Sequence, residues 1–247
     1  MWWTESCLRL RDFKCTKEGD YDEWRKHDLD RGHFSDEQKR YFDDVAVWLC
    51  ARCEDVGTRN GRKLAHMEED EKKLIHQIKA EHSSRSARKL PSTAFDGLRE
   101  IIHLVRGCEI MINRNVAYLL GLANGTRGTF VGAVYGPGGV GTMPEALVVE
   151  VPEYNGPEFY PGEPKWVPLF PMTAMKDGTR MTRAQFPVVA GFALTVNKAQ
   201  GLTIKEGVVI HLVLKARLAL RLIHALRKFR NDGLQKFASV ARLCEGP

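Results

Sequence analysis

Phe192-Ala193-Leu194-Thr195-Val196-Asn197-Lys198-Ala199-Gln200-Gly201-Leu202-Thr203 is the stretch whose reading decides the fold. From Pro187 to Leu194 the chain is apolar, and it then runs into small and hydrogen-bonding side chains closed by Gly201. A buried strand ends in this way when its last residues face a ligand. Glycine lets the backbone approach closely, and Thr195, Asn197, Lys198 and Gln200 supply donors of different reach. Lys198 adds a compact positive charge suited to phosphate. An ordinary polar turn has the same composition, so both readings stand at this point.

Two further blocks accompany it. Gly107-Cys108-Glu109-Ile110-Met111-Ile112-Asn113-Arg114-Asn115 leads to Gly121-Leu122-Ala123-Asn124-Gly125-Thr126-Arg127-Gly128, and Val56, Asn60 and Leu64 are spaced as in a V-x-x-x-N-x-x-x-L helix start. These blocks and the Thr195–Thr203 run resemble, in order, the signatures of the Pif-type DNA helicases of superfamily one, over roughly residues 45 to 212. The resemblance implies an α/β fold: a RecA-like, P-loop NTPase type second lobe carrying an inserted small β-barrel subdomain. It also implies ATP and magnesium in the complete helicase, single-stranded DNA as partner, and a nuclear or mitochondrial protein of DNA repair, recombination or telomere maintenance.

Such helicases grip ATP between two lobes, and the first lobe carries G-x-x-x-x-G-K-[ST], whose amides cradle phosphates. That sequence does not occur in this chain. Gly136-Pro137-Gly138-Gly139-Val140-Gly141 lacks the Gly-Lys-Ser/Thr ending and reads as a hairpin loop. Nor does an acidic pair end an apolar strand, or a Tyr-Val-Ala-x-[ST]-Arg segment follow Leu212. The expectation is therefore the second lobe alone, its amino-terminal RecA-like partner missing, from a fragment or a truncated gene model. No nucleotide is expected to bind tightly to this chain by itself.

The 247 residues suffice for one large domain or two small ones, and 43% hydrophobic with 28% charged residues is ordinary for a globular chain. No apolar stretch of about 18 residues occurs, so no membrane span is expected, and Met1–Glu5 does not open a secretory peptide. Six scattered cysteines point to a reducing compartment, and Cys50-Ala51-Arg52-Cys53 lacks a second pair to complete a zinc site. The net charge of +6 is concentrated: Val213–Arg242 holds eight basic and one acidic residue, and the remainder is nearly neutral. Whole-chain charge is therefore a poor argument for nucleic-acid binding.

Along the chain, residues 1–103 read as the first part of the lobe, with a helix over 19–30, a capping box opening at Ser35, a strand over 45–49 and a helix over 55–67. Leu74, Ile75 and Ile78 fit a strand or a helix turn, and 83–92 a basic loop in which Arg85, Arg88 and Lys89 are solvated or touch phosphate. Residues 104–186 hold strand candidates over 108–112, 128–134, 146–151 and 166–170 at the spacing of the inserted barrel. Residues 187–212 return to the main sheet, and 213–247 read as a divergent, basic, amphipathic helical tail.

The resemblance implies roles for particular residues. Thr195, Asn197 and Thr203, with Asn115, Asn124 and Gly125, would contact nucleic acid. Lys198, Gln200 and Gly201 would face the nucleotide cleft, and no residue of this chain is assigned a catalytic role. Asn197 stands where the family usually has histidine and loses the ring for stacking. Asn124-Gly125 is equally what a hairpin needs without DNA. Three readings remain open: part of a translocating helicase, a non-catalytic nucleic-acid-binding remnant, or a membrane-surface or partner-helix module built on the tail.

Overall fold

The computed structural model describes residues 34–199, 202, 204, 207–213 and 237–242. The helix expected over 19–30 and residues 214–236 of the tail lie outside them. The chain divides into two compact units, one of them Asn60–Gly191, the other holding the described residues up to Arg59 and from Phe192 onward.

The second of these is built on a parallel sheet. Helix α1 (Asp36–Asp44) is opened by the expected capping box: Ser35 Oγ accepts from Gln38 N at 3.2 Å, and Ser35 N donates to Gln38 Oε1 at 2.9 Å. It leads into strand β1 (Val47–Cys50), which precedes α2 (Cys53–Glu71). β1 pairs in parallel on both sides, with β12 (Ala193–Thr195) and with β13 (Val208–Val213), and β14 (Phe237–Arg242) completes the order β12-β1-β13-β14. Strands covered on both faces read as continuous apolar runs, as in Val208-Val209-Ile210. Leu49, Val209 and Ala193 are fully buried. Phe42 of α1 packs on Ala46 and Val209, with Phe34 and Tyr41 edge-on to its ring at 5.6 and 5.8 Å. Trp48 donates its indole N–H to the Phe42 carbonyl at 3.0 Å and lies under the Arg59 guanidinium at 3.9 Å.

β14 corrects the sequence reading of a wholly helical tail. Phe237-Ala238-Ser239-Val240 supplies β-forming residues beside the unpaired edge of β13, and edge pairing takes precedence over helical periodicity.

The Asn60–Gly191 unit is antiparallel. β2 (Ile75–Lys79) pairs with β4 (Ile101–Val105), and β3 (Glu81–His82), β10 (Thr182–Gln185) and β9 (Met172–Met175) form a three-stranded sheet. A five-stranded sheet has the order β11 (Val188–Ala190), β5 (Glu109–Ile112), β6 (Arg127–Val134), β7 (Ala146–Glu150), β8 (Trp166–Leu169). Its order is open at β11 and β8, and the described strands close no barrel. Residues 187–194, read as one return to the main sheet, divide: β11 joins the antiparallel sheet and only β12 the parallel one. Gly191 separates them, its N–H donating to the Glu109 carbonyl at 2.7 Å. The Gly136–Gly141 segment is the β6–β7 hairpin loop, and the basic loop over 83–92 contains one helical turn, α3 (Arg85–Arg88), capped by Ser84. Asn60 donates to the Ala190 carbonyl at 3.0 Å, tying together the two ends of this unit.

Arg183 is its most buried charge, 1% exposed. Its guanidinium donates to the carbonyls of Leu98 at 3.0 Å and Leu90 at 2.8 Å, and to His82 Nε2 at 3.0 Å, while lying over the Phe95 ring at 4.5 Å. Three segments are thereby fixed around one side chain. Replacing it strands several buried carbonyls, so Arg183→Met is expected to cost about 3 kcal/mol in urea denaturation. Arg183→Lys is expected to recover little, because one ammonium cannot reproduce the fork.

Burial, followed by the Arg183 charge, holds the His82 pKa below its ordinary value, and burial does the same for His76, whose ring bonds Tyr135 Oη at 3.0 Å. Both folded-state pKa values lie below those of the unfolded chain, so the unfolded chain takes up protons first as pH falls. Their stabilisation is complete above about pH 6.5 and is lost on acidification below it. Thermal melts are expected to be flat from about pH 8 to 7 and to fall toward about pH 5, with a shallower fall in His82→Gln.

Candidate nucleic-acid interface

The carboxyl ends of parallel strands gather at one sheet edge, where α/β proteins bind ligands. Thr195, the last residue of β12, is in register with Cys50 at the end of β1, and Cys50 with His211 of β13. The chain turns from Thr195 directly into α4 (Val196–Ala199). Thr195 Oγ1 accepts from Lys198 N at 3.4 Å, a long bond that leaves the hydroxyl proton available to a further acceptor. Val196 and Ala199 are buried, and Asn197 and Lys198 between them are exposed. Two small apolar anchors thus present an amide and an ammonium to solvent at this edge. Gln200, Gly201 and Thr203 lie outside the described residues.

β1 contributes to the same edge. Arg52, exposed directly after the strand, is a second cation, which the sequence reading passed over; its signal was a basic residue closing a buried apolar run. The first turn of α2 carries Glu54 and Asp55. Burial, followed by the Asp55 charge and against that of Arg59, pushes the Cys50 thiol up to about 12, so it is a neutral packing group. Cys53 is exposed, and both thiols are free. Among the described residues no group of three or more His, Cys, Asp or Glu could hold a metal ion.

Asn115, Asn124 and Gly125 form a second cluster, within the antiparallel unit. Thr126 N donates to the Ala123 carbonyl at 3.0 Å across Asn124-Gly125, with Gly125 at φ +97°. A positive φ at the third position alone is the type II turn, which glycine adopts without strain. Gly125 N also donates to the Ile112 carbonyl at 2.8 Å, anchoring the turn to β5. Asn115 Oδ1 accepts from Asn124 N at 2.9 Å, so the two asparagines are joined, and both are exposed. Thr126, buried, donates to the Gly121 carbonyl at 3.0 Å. A Cβ on Gly121 would lie 2.4 Å from the Glu153 carbonyl oxygen, so backbone packing alone requires glycine there. The glycines, Thr126 and the Asn115 acceptor of this block are accounted for by the turn, and the exposed Asn124 side chain is not.

Asn115→Ala removes the acceptor of a backbone N–H and is expected to cost about 1 kcal/mol in chemical denaturation. Asn124→Ala, whose side chain caps nothing in the turn, is expected to stay within about 0.5 kcal/mol of the parent.

No protein-family model matches the chain. Over 162 residues it is 26% identical to the ATP-dependent DNA helicase PIF1 of Homo sapiens, a match covering 65% of this chain and 22% of that protein. Among solved structures, Bacteroides Pif1 bound to ssDNA superposes with a TM-score of 0.66 at 19% identity, over 97% of this chain and 48% of the other. Pif1 helicase from Candida albicans gives 0.64 at 16% identity, over 97% and 53%. Identities this low establish the shared fold, and the chain spans about half the length of these helicases and about a fifth of the human protein. In sequence and in fold, the chain resembles Pif1-type DNA helicases over that part of their length.

Proposed function

We propose that this chain is the carboxy-terminal RecA-like part of an ATP-dependent DNA helicase that translocates on single-stranded DNA and unwinds duplexes. The observation that carries the reading is the β12–α4 transition, which displays Thr195, Asn197 and Lys198 at the carboxyl edge of a parallel sheet. A hydroxyl, an amide and an ammonium suit a polynucleotide backbone, and contacts of this kind are indifferent to base sequence. Asn115 and Asn124, exposed on their turn, supply a second set of the same chemistry. The open five-stranded sheet takes the place of the family's inserted subdomain.

ATP with magnesium would drive the complete helicase. This chain's own residues fit only a share of that group. Lys198 offers a cation to phosphate, with Gln200 and Gly201 following it in sequence, but the chain has no G-x-x-x-x-G-K-[ST] cradle. The proposal is therefore a lobe that contacts nucleotide from one side and hydrolyses none alone. A second reading, a non-catalytic remnant that retains nucleic-acid binding, rests on the same absence.

The purified chain is expected to show no ATP turnover above background and to bind single-stranded oligonucleotides in fluorescence anisotropy, with affinity falling as salt rises. Robust turnover would overturn the single-lobe assignment, and absence of binding would overturn the nucleic-acid reading. Lys198→Ala, placed in a two-lobed helicase carrying this lobe, is expected to lose DNA stimulation of ATPase activity, and retained stimulation would overturn the role given to Lys198.

A further inference from the structure

Between Asn115 and Asn124 the chain projects an apolar tip. Tyr118 is 72% and Leu119 85% exposed, with Val116 beside them at 38%. Exposed residues of this kind normally sit on adaptable surface, but this tip is tightly built. Tyr118–Leu120 is a turn of 3₁₀ helix, closed by Leu120 N to Ala117 O at 2.9 Å and Gly121 N to Tyr118 O at 3.1 Å. At its base, Val116 N and Ala117 N both donate to the Leu122 carbonyl at 3.0 Å, and Leu122 N returns to Ala117 O at 3.1 Å. Asn155 N donates to the Leu120 carbonyl at 3.2 Å, and the close fit of Gly121 on Glu153 holds the other flank. An aromatic and a leucine are therefore held rigidly in water, where apolar surface is costly.

Three observations identify what would cover it. The tip offers only three apolar side chains, far short of the 20–30 residues a side that a stable protein interface uses, but matching one or two nucleobases. Residues 113–128 contain Arg114 and Arg127 and no Asp or Glu, so the tip itself carries no carboxylate, and Glu153 is the acidic residue that flanks it at Gly121; those arginines are paired to Asp96 and Glu109, each at 3.1 Å. The exposed Asn115 and Asn124 stand together at its base, where their amides can hold a sugar–phosphate backbone.

We propose that this tip is a base-stacking contact: the Tyr118 ring, on its rigid turn, stacks on a base of a single strand whose backbone lies against Asn115 and Asn124. The proposal rests on the nucleic-acid reading above and adds to it a residue and a mode of contact.

The test uses the full chain and single-stranded oligonucleotides, normal and with abasic sites throughout the central segment, read by fluorescence anisotropy. Tyr118→Ala is expected to weaken binding of the normal strand about tenfold and to leave the abasic strand unaffected. Tyr118→Phe is expected to restore most of the affinity, since the ring and not the hydroxyl stacks. The position is exposed, so circular dichroism and melting of both variants should match the parent. If the parent binds and Tyr118→Ala binds equally well, or loses as much on the abasic strand, the stacking contact is refuted while the nucleic-acid reading survives. If the parent binds no oligonucleotide at all, both fall together.

Discussion

Everything in the parallel-sheet unit depends on β1 being hydrogen-bonded on both sides to strands more than a hundred residues away. Val47 N donates to the Gly207 carbonyl at 3.1 Å and Trp48 N to the Phe192 carbonyl at 2.9 Å, and Val47, Leu49 and Cys50 of β1 are withdrawn from water, with Trp48 half-buried between them. A central strand of four residues leaves no room for a register slip, because a shift of one would turn Leu49 and the buried end of Cys50 to the wrong face. That pairing places Thr195, Cys50 and His211 in one row, so the candidate site follows from strand register and not from any loop. Loop closure over so long a separation is less costly than it looks, since the entropic penalty grows only with the logarithm of length.

Much of this was legible in the sequence, for identifiable reasons. The Ser35 capping box, the strands near 109–112, 127–134, 146–150 and 166–169, and the Asn124-Gly125 turn are local signals, and the structure shows each within a few residues. The apolar run 187–194 was legible as strand but not as two strands in different sheets. Val188, Val189, Ala193 and Leu194 are all buried, and hydropathy records burial without recording against what. Arg183 was invisible for the opposite reason: a buried arginine reads as a surface residue unless the carbonyls around it are known. The β14 strand was hidden by a helical periodicity upstream of it.

At the candidate interface, chemistry was more legible than geometry. Thr195, Asn197 and Lys198 were singled out as donors, and the structure adds that Val196 and Ala199 sink inward to turn the middle pair outward. Asn115 and Asn124 were singled out together, and the structure adds the hydrogen bond that joins them. Arg52 needed the strand ends to be aligned before its place on the same edge could be seen.

The bond from Asn60 to the Ala190 carbonyl has a consequence for how such a chain could have arisen. A 132-residue body whose entrance and exit are clasped by one amide presents the rest of the molecule with a gap that a short turn could bridge. Excision or exchange of the clasped body would shorten α2 to its first two turns but remove no residue of the ladder between β1 and β12. Genes can acquire, trade or shed modules at such a joint without having to reinvent the sheet that receives them.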